Sequence, residues 1–127
     1  MARGVATVLV VDDEPSLRLL CRVNLELEGF RVLEAATLTT ARALLDQNGI
    51  DVVVLDVHIA GEDGRELLDE LRDSDSPVRV LMLTGSADIR SSRFDAADYV
   101  LSKPFEPLEL IATVRGLAEV SRVDSSR

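Results

Sequence analysis

Apolar runs of strand length alternate along the chain with stretches in which apolar residues recur every three or four positions. Thr7–Val11 (TVLVV) reads as a first strand. Pro15 then opens a helix in which Leu17, Leu20, Cys21, Asn24 and Leu27 share one face, and Gly29 stops it. Phe30–Ala35 is a second strand, and Thr37 caps a helix carrying Leu38, Ala41, Leu44 and Leu45 that ends at Asn48-Gly49. Ile50–Leu55 is a third strand, apolar on both faces. A polar loop, HIAGEDG, leads to a helix with Leu67, Leu68 and Leu71, which the DSDSP cluster ends. Val78–Leu83 is a fourth strand and Tyr99–Leu101 a short fifth. Between them, residues 86–95 are Ser-rich, with Ile89 and Phe94 as the only large apolar residues and no clear helical period. Pro107 starts a last helix on Leu110, Ile111, Val114, Leu117 and Ala118. Residues 1–120 thus form one domain, and Ser121–Arg127 is a polar tail or the start of a linker.

Strands regularly separated by helices imply an α/β fold: a doubly wound, five-stranded parallel sheet with helices on both faces. The continuous apolar runs of strands one, three and four fit burial on both sides. Such sheets bind ligands outside the carboxyl ends of their strands. Here those ends carry Asp12 and Asp13, Asp56, Thr84 and Lys103, while strand two ends in Glu34-Ala35-Ala36 and is the one expected to lie outside the site.

Composition narrows the partners. At 127 residues and 46% hydrophobic the chain can build one packed core. With 23 Asp and Glu against 14 Lys and Arg, its net charge is −9. That charge repels phosphate backbones, so direct nucleic-acid binding by this chain is not expected. The longest apolar stretch, Val5 to Val11, is too short to span a membrane, and acids follow it at once instead of a cleavage site. A single Cys, Cys21, allows no internal disulfide and fits a reducing, cytoplasmic setting, where it reads as a core thiol. One Cys and one His, His58, exclude a zinc site built on such ligands.

Crowded carboxylates raise one another's pKa unless a cation intervenes. Mg²⁺, which takes oxygen ligands and keeps several waters, suits Asp12, Asp13 and Asp56, and such sites commonly also hold a phosphate. Lys103 would supply a positive point charge for phosphoryl oxygens, and Thr84 a hydroxyl donor. No Walker-type loop, GxGxxG or GxSxG is present. The phosphate is therefore small or becomes attached to the protein, with Asp56 as the nucleophile forming an acyl-phosphate. Each residue has a plainer reading. Asp12 and Asp13 could cap the helix at Pro15, Asp56 could be a loop residue, Thr84 a strand residue, and Lys103 part of a turn before proline.

In order and at suitable separations, VLVVDDE, VVVLD with a loop ending in Gly64, LMLTG and VLSKPF resemble the receiver domain of two-component response regulators over roughly residues 6–120. The resemblance implies a flavodoxin-like sheet of order 2-1-3-4-5. It implies that Asp56 accepts a phosphoryl group from a phosphohistidine on a sensor kinase. It further implies that Asp13 binds Mg²⁺ directly, Asp12 acts largely through water, and the His58 carbonyl completes the protein ligands. Thr84 and Lys103 carry over as phosphoryl contacts, and Lys103-Pro104 as a cis peptide.

Three features depart from the family pattern. Ile59-Ala60 stand where the family has Met or Leu and then Pro, which frees the loop backbone. Val100 stands at the switch aromatic's position, and Tyr99, one residue earlier, points to the opposite face as a packing residue. The span from Thr84 to Lys103 is shorter than usual, which shortens or partly unwinds the fourth helix. His58 is read either as a rim residue modulating water access or as an exposed loop residue, and Glu62 and Asp63 as a solvated turn with Gly61 and Gly64.

The expectation is a phosphorylation-controlled switch, not a turnover enzyme. Its partners would be a sensor histidine kinase or histidine phosphotransfer protein, and a downstream protein or an output domain outside this chain. A degenerate receiver that binds partners without phosphorylation is the alternative. A phosphohydrolase with an aspartyl-phosphate is a third reading. It is disfavoured because His58, not a second Asp, lies two residues after Asp56.

Overall fold

A computed structural model describes residues 5–85 and 94–125, with side chains through residue 119. Five parallel strands form the sheet: β1 (Thr7–Val11), β2 (Arg31–Ala35), β3 (Val52–Asp56), β6 (Arg79–Thr84) and β7 (Tyr99–Ser102). Their order is β2-β1-β3-β6-β7, the predicted 2-1-3-4-5 once two short strands, β4 (His58–Ile59) and β5 (Glu62–Asp63), are set aside. The helices are α1 (Pro15–Leu27), α2 (Leu38–Gln47), α3 (Arg65–Asp73) and α4 (Pro107–Ser125). The expected short fourth helix falls on residues 86–95, most of which lie outside the described residues.

Strand alternation divides the core in two. On one face Leu9, Val11, Val53, Leu55, Val80 and Met82 pack against α2 and α3. On the other, Val8, Val10, Val52, Val54, Leu81 and Leu83 pack against Cys21 and Leu25 of α1 and against Leu110, Ile111 and Val114 of α4. Every residue of β1 and β3 is buried, which is why these strands read as unbroken apolar runs. Parallel register places Val11 beside Leu55, Asp56 beside Leu83, and Thr84 beside Ser102. The carboxyl ends of β1, β3, β6 and β7 are therefore level, and β2 lies at the edge.

Helix boundaries follow local chemistry. Pro15 occupies the first turn of α1. Thr37 Oγ1 accepts the Thr40 N–H 3.1 Å away as the N-cap of α2. No Gly or Pro follows the apolar face of α4, and its backbone stays helical through Ser125, beyond the end expected near residue 120.

The buried stripe of α1 differs from the predicted face. Cys21 and Leu25 are buried and Leu17 half-buried, whereas Leu20 and Leu27 are exposed. At 100° per residue, Leu20 and Leu27 sit well to one side of the line through Leu17, Cys21 and Leu25. They join Leu19 and Val23 on an outward apolar face.

Candidate functional site

Asp12 follows the last residue of β1 and is buried at 1% exposure. Its backbone is fixed on both sides: the N–H donates to Ala35 O at 3.0 Å, and the carbonyl accepts Arg18 Nη1 at 2.8 Å. Oδ1 accepts the Glu14 N–H at 2.9 Å. Oδ2 is buried with no hydrogen-bond partner among the described residues. Burial first, and then neighbouring Asp56, push the Asp12 carboxyl up to about 6.

Asp56 ends β3 and is also buried. Its Oδ1 accepts the His58 N–H at 3.0 Å, and its Oδ2 accepts the Lys103 ammonium. Lys103 Nζ also stands 3.7 Å from Asp12 Oδ2. Burial alone would lower the Lys103 pKa, but the bond to Asp56 and the charges of Asp56 and Asp12 outweigh it and hold the ammonium above its ordinary value. One cationic side chain thus bridges two buried carboxylates. The Lys103-Pro104 peptide is cis, as expected. Thr84 is buried beside this cluster at the end of β6; its hydroxyl donates to Gly85 O at 3.1 Å, and its carbonyl accepts the Lys103 N–H at 2.8 Å.

Asp13 is placed differently. It is exposed, and its Oδ2 accepts the Ala60 N–H at 2.9 Å. Among the described residues, no group of three His, Cys, Asp or Glu side chains could hold a metal ion by itself. The predicted crevice therefore contains Asp12, Asp56, Thr84 and Lys103 together, with Asp13 bound to the neighbouring loop. His58 is exposed at the rim, tied to Asp56 through its backbone N–H.

That loop is more ordered than the missing proline suggested. β4 and β5 pair antiparallel, His58 with Asp63 and Ile59 with Glu62, leaving Ala60-Gly61 as a two-residue turn. Both turn residues have positive φ, 51° and 81°, the sign a type I′ hairpin requires. Ile59 is fully buried in the core formed with α2 and α3. Glu62 and Asp63 are thus strand residues and not a solvated turn, and Asp63 accepts Arg65 Nη2 at 2.9 Å. Gly64 closes the loop; its N–H donates to Val57 O at 2.6 Å, and a β-carbon there would collide with the Asp56 carbonyl oxygen.

The switch position also departs from expectation in one respect. Val100 is half-buried against the core that faces α2 and α3, whereas Tyr99 is 51% exposed on the edge strand. Tyr99 points away from Val100 as alternation requires, but it is not a packing residue.

Chemically, the pocket offers a buried carboxylate with an ammonium on one oxygen, and a second carboxylate with a buried oxygen that takes no hydrogen bond among the described residues. An all-oxygen donor set of that kind fits a hard cation such as Mg²⁺, held by carboxylates together with water. Sequence reasoning did not assign the roles of Gly64, Ala60 and Arg18. Gly64 carried a signal, as the glycine ending the loop, but Arg18 bonds a backbone carbonyl and left none.

The chain matches the family model for the response regulator receiver domain over residues 8–115. It is 39% identical over 113 residues to the transcriptional regulatory protein YvrH of Bacillus subtilis, covering 87% of this chain and 48% of that protein. Its identity to the transcriptional regulatory protein TrcR of Mycobacterium tuberculosis is also 39% over 113 residues, covering 87% and 44%. The chain spans about half or less of the length of these curated relatives. Among solved structures, the response regulator protein TrrA of Thermotoga maritima, in complex with Mg²⁺ and BeF, superposes with a TM-score of 0.81 at 32% identity. That match covers 89% of this chain and 99% of the other.

Proposed function

The chain belongs to the response regulator receiver family, and from that membership we propose that it is a phosphorylation-dependent switch whose acceptor is Asp56. The observation that carries this reading is the Lys103 ammonium on Asp56 Oδ2, also within ion-pair distance of the buried Asp12 Oδ2. In the reaction, an Asp56 carboxylate oxygen attacks the phosphorus of a phosphohistidine. The P–N bond breaks, its electron pair stays on the imidazole nitrogen, and an acyl-phosphate forms on Asp56. Lys103, held protonated, pairs with the phosphoryl oxygens, and the buried Thr84 hydroxyl turns from Gly85 O to donate to one of them.

Asp12, Asp13 and Asp56, with the His58 carbonyl, would hold Mg²⁺, which neutralises charge developing on the transferring group. The relative from Thermotoga maritima, solved with Mg²⁺ and BeF, supports Mg²⁺ as the cation by analogy. The reaction modifies the protein itself; no other substrate is turned over. The phosphoryl donor would be a sensor histidine kinase or a histidine phosphotransfer protein, and the setting cytoplasmic. Output would pass to a protein partner or to a domain outside this chain, since the relatives are longer transcriptional regulators. No helix among the described residues is long and apolar enough to cross a membrane.

Thermal unfolding with Mg²⁺ and beryllium fluoride tests the reading. A rise in Tm that needs both components and vanishes in Asp56→Ala is expected. No rise with both present overturns it, in favour of the phosphorylation-independent binding module that the aliphatic Val100 would suit.

A further inference from the structure

Ala60 stands where receivers carry proline, and proline has no N–H. In this chain the N–H exists, and it donates to Asp13 Oδ2 at 2.9 Å. Asp13 is exposed on the segment between β1 and α1, forty-seven residues from Ala60 in sequence, so the bond ties two separate loops together. Ala60 presents this N–H from the hairpin turn at φ 51°, a left-handed conformation that a non-glycine residue adopts only at an energetic cost. A hydrogen bond to an ionised carboxylate is among the stronger ones a backbone donor makes.

We infer that the Ala60 N–H is a latch on Asp13, coupling the 58–63 hairpin to cation binding at the acidic pocket. The inference rests on the reading of that pocket as an Mg²⁺ site. Asp12 and Asp56 already converge on Lys103, but Asp13 does not join them in a three-carboxylate group. Drawing Asp13 toward the pocket weakens or breaks its bond to Ala60 and loosens the hairpin tip. The rest of the hairpin keeps its anchors, the buried Ile59 and the His58 N–H on Asp56 Oδ1.

The hairpin's far strand carries the effect onward. Asp63 holds Arg65, whose guanidinium carbon lies 5.6 Å from the centroid of the Phe94 ring. Phe94 packs against the same core as Val100. Asp13 is thereby connected to the sheet face that holds the switch position, without an aromatic residue at position 100.

The test follows the Ala60 amide in the wild-type chain by NMR during an Mg²⁺ titration, beside the Mg²⁺ affinity of Ala60→Gly. The Ala60 amide proton is expected to move upfield and exchange faster with solvent as Mg²⁺ binds. Ala60→Gly keeps the donor, accepts the positive φ more easily, and is expected to bind Mg²⁺ no more tightly than wild type. If wild type binds Mg²⁺ but its Ala60 amide is unaffected, or if Ala60→Gly binds Mg²⁺ more tightly than wild type, the latch is wrong and the metal site stands. If wild type shows no Mg²⁺ response at any resonance, the metal reading fails, and the latch with it. Because the amide measurement uses the wild-type chain, it decides the question even if Ala60→Gly does not fold.

Discussion

Gly64 and Asp56 meet backbone to backbone: a β-carbon on Gly64 would overlap the Asp56 carbonyl oxygen. β3 and the start of α3 are therefore locked together through the one residue type that fits. Gly64→Ala must displace one of them, and an overpacked contact of this kind costs about 1–3 kcal/mol. Chemical denaturation is expected to show that loss. The same variant is expected to lose acceptor reactivity, because Asp56 moves. Gly49, with nothing within 4 Å of its own β-carbon position, serves as the control. Gly49→Ala is expected to stay within about 0.5 kcal/mol of wild type.

The buried Asp12 carboxyl gives stability a pH dependence of unusual sign for an acid. Its pKa is raised from 3.8 to about 6 in the folded chain, so the folded state holds the proton more tightly than the unfolded one. Stability from this group is present at low pH and is lost as pH rises from about 4 through about 6. Asp12→Asn removes the charge. In EDTA at pH 8 the variant is expected to be more stable than wild type by about 2–3 kcal/mol, at about 1.4 kcal/mol per pKa unit, with the gap closing toward pH 4. Urea unfolding across that range measures it. Added Mg²⁺ is expected to stabilise wild type more than the variant.

The exposed Tyr99 and the half-buried Val100 separate cleanly under mutation. Tyr99→Ala is expected to change stability by no more than about 0.5 kcal/mol. Val100→Ala, which removes side-chain volume packed against the core, is expected to cost about 1–2 kcal/mol. Paired denaturation curves decide the matter, and equal losses would place Tyr99 back in the core.

Cys21 is fully buried among Leu25, Leu110 and Val114, and burial pushes its thiol up to about 12. At pH 8 the native protein is expected to react with a thiol-specific reagent only at its unfolding rate. Full reactivity is expected in denaturant. Rapid labelling of the folded chain would contradict the placement of α1.

Much of the fold was legible because strand burial and side-chain period are local properties. The unbroken apolar runs of β1 and β3 announced two-sided burial, and Pro15, Thr37 and Gly29 marked helix ends by their own backbone chemistry. The face of α1 was misjudged for a related reason: Leu20 and Leu27 are as apolar as Leu25, and composition does not say which stripe meets the sheet. The acidic pocket was legible as well, since the carboxyl ends of parallel strands converge by topology. What stayed hidden depended on how the 57–64 loop folds back. The Ala60 bond to Asp13 joins positions forty-seven residues apart, and the collision space at Gly64 arises where that loop returns to Asp56. The missing proline accordingly read as a loosened loop, when the chain forms a closed hairpin.

The central claim, that Asp56 accepts a phosphoryl group, is tested most directly by intact mass. The protein would be incubated with Mg²⁺ and a small-molecule phosphodonor, quenched rapidly, and compared with Asp56→Ala and with a sample lacking Mg²⁺. The account predicts one added phosphoryl group on wild type and none in either control. An adduct of equal yield on Asp56→Ala, or none on wild type under rapid quenching, would contradict it.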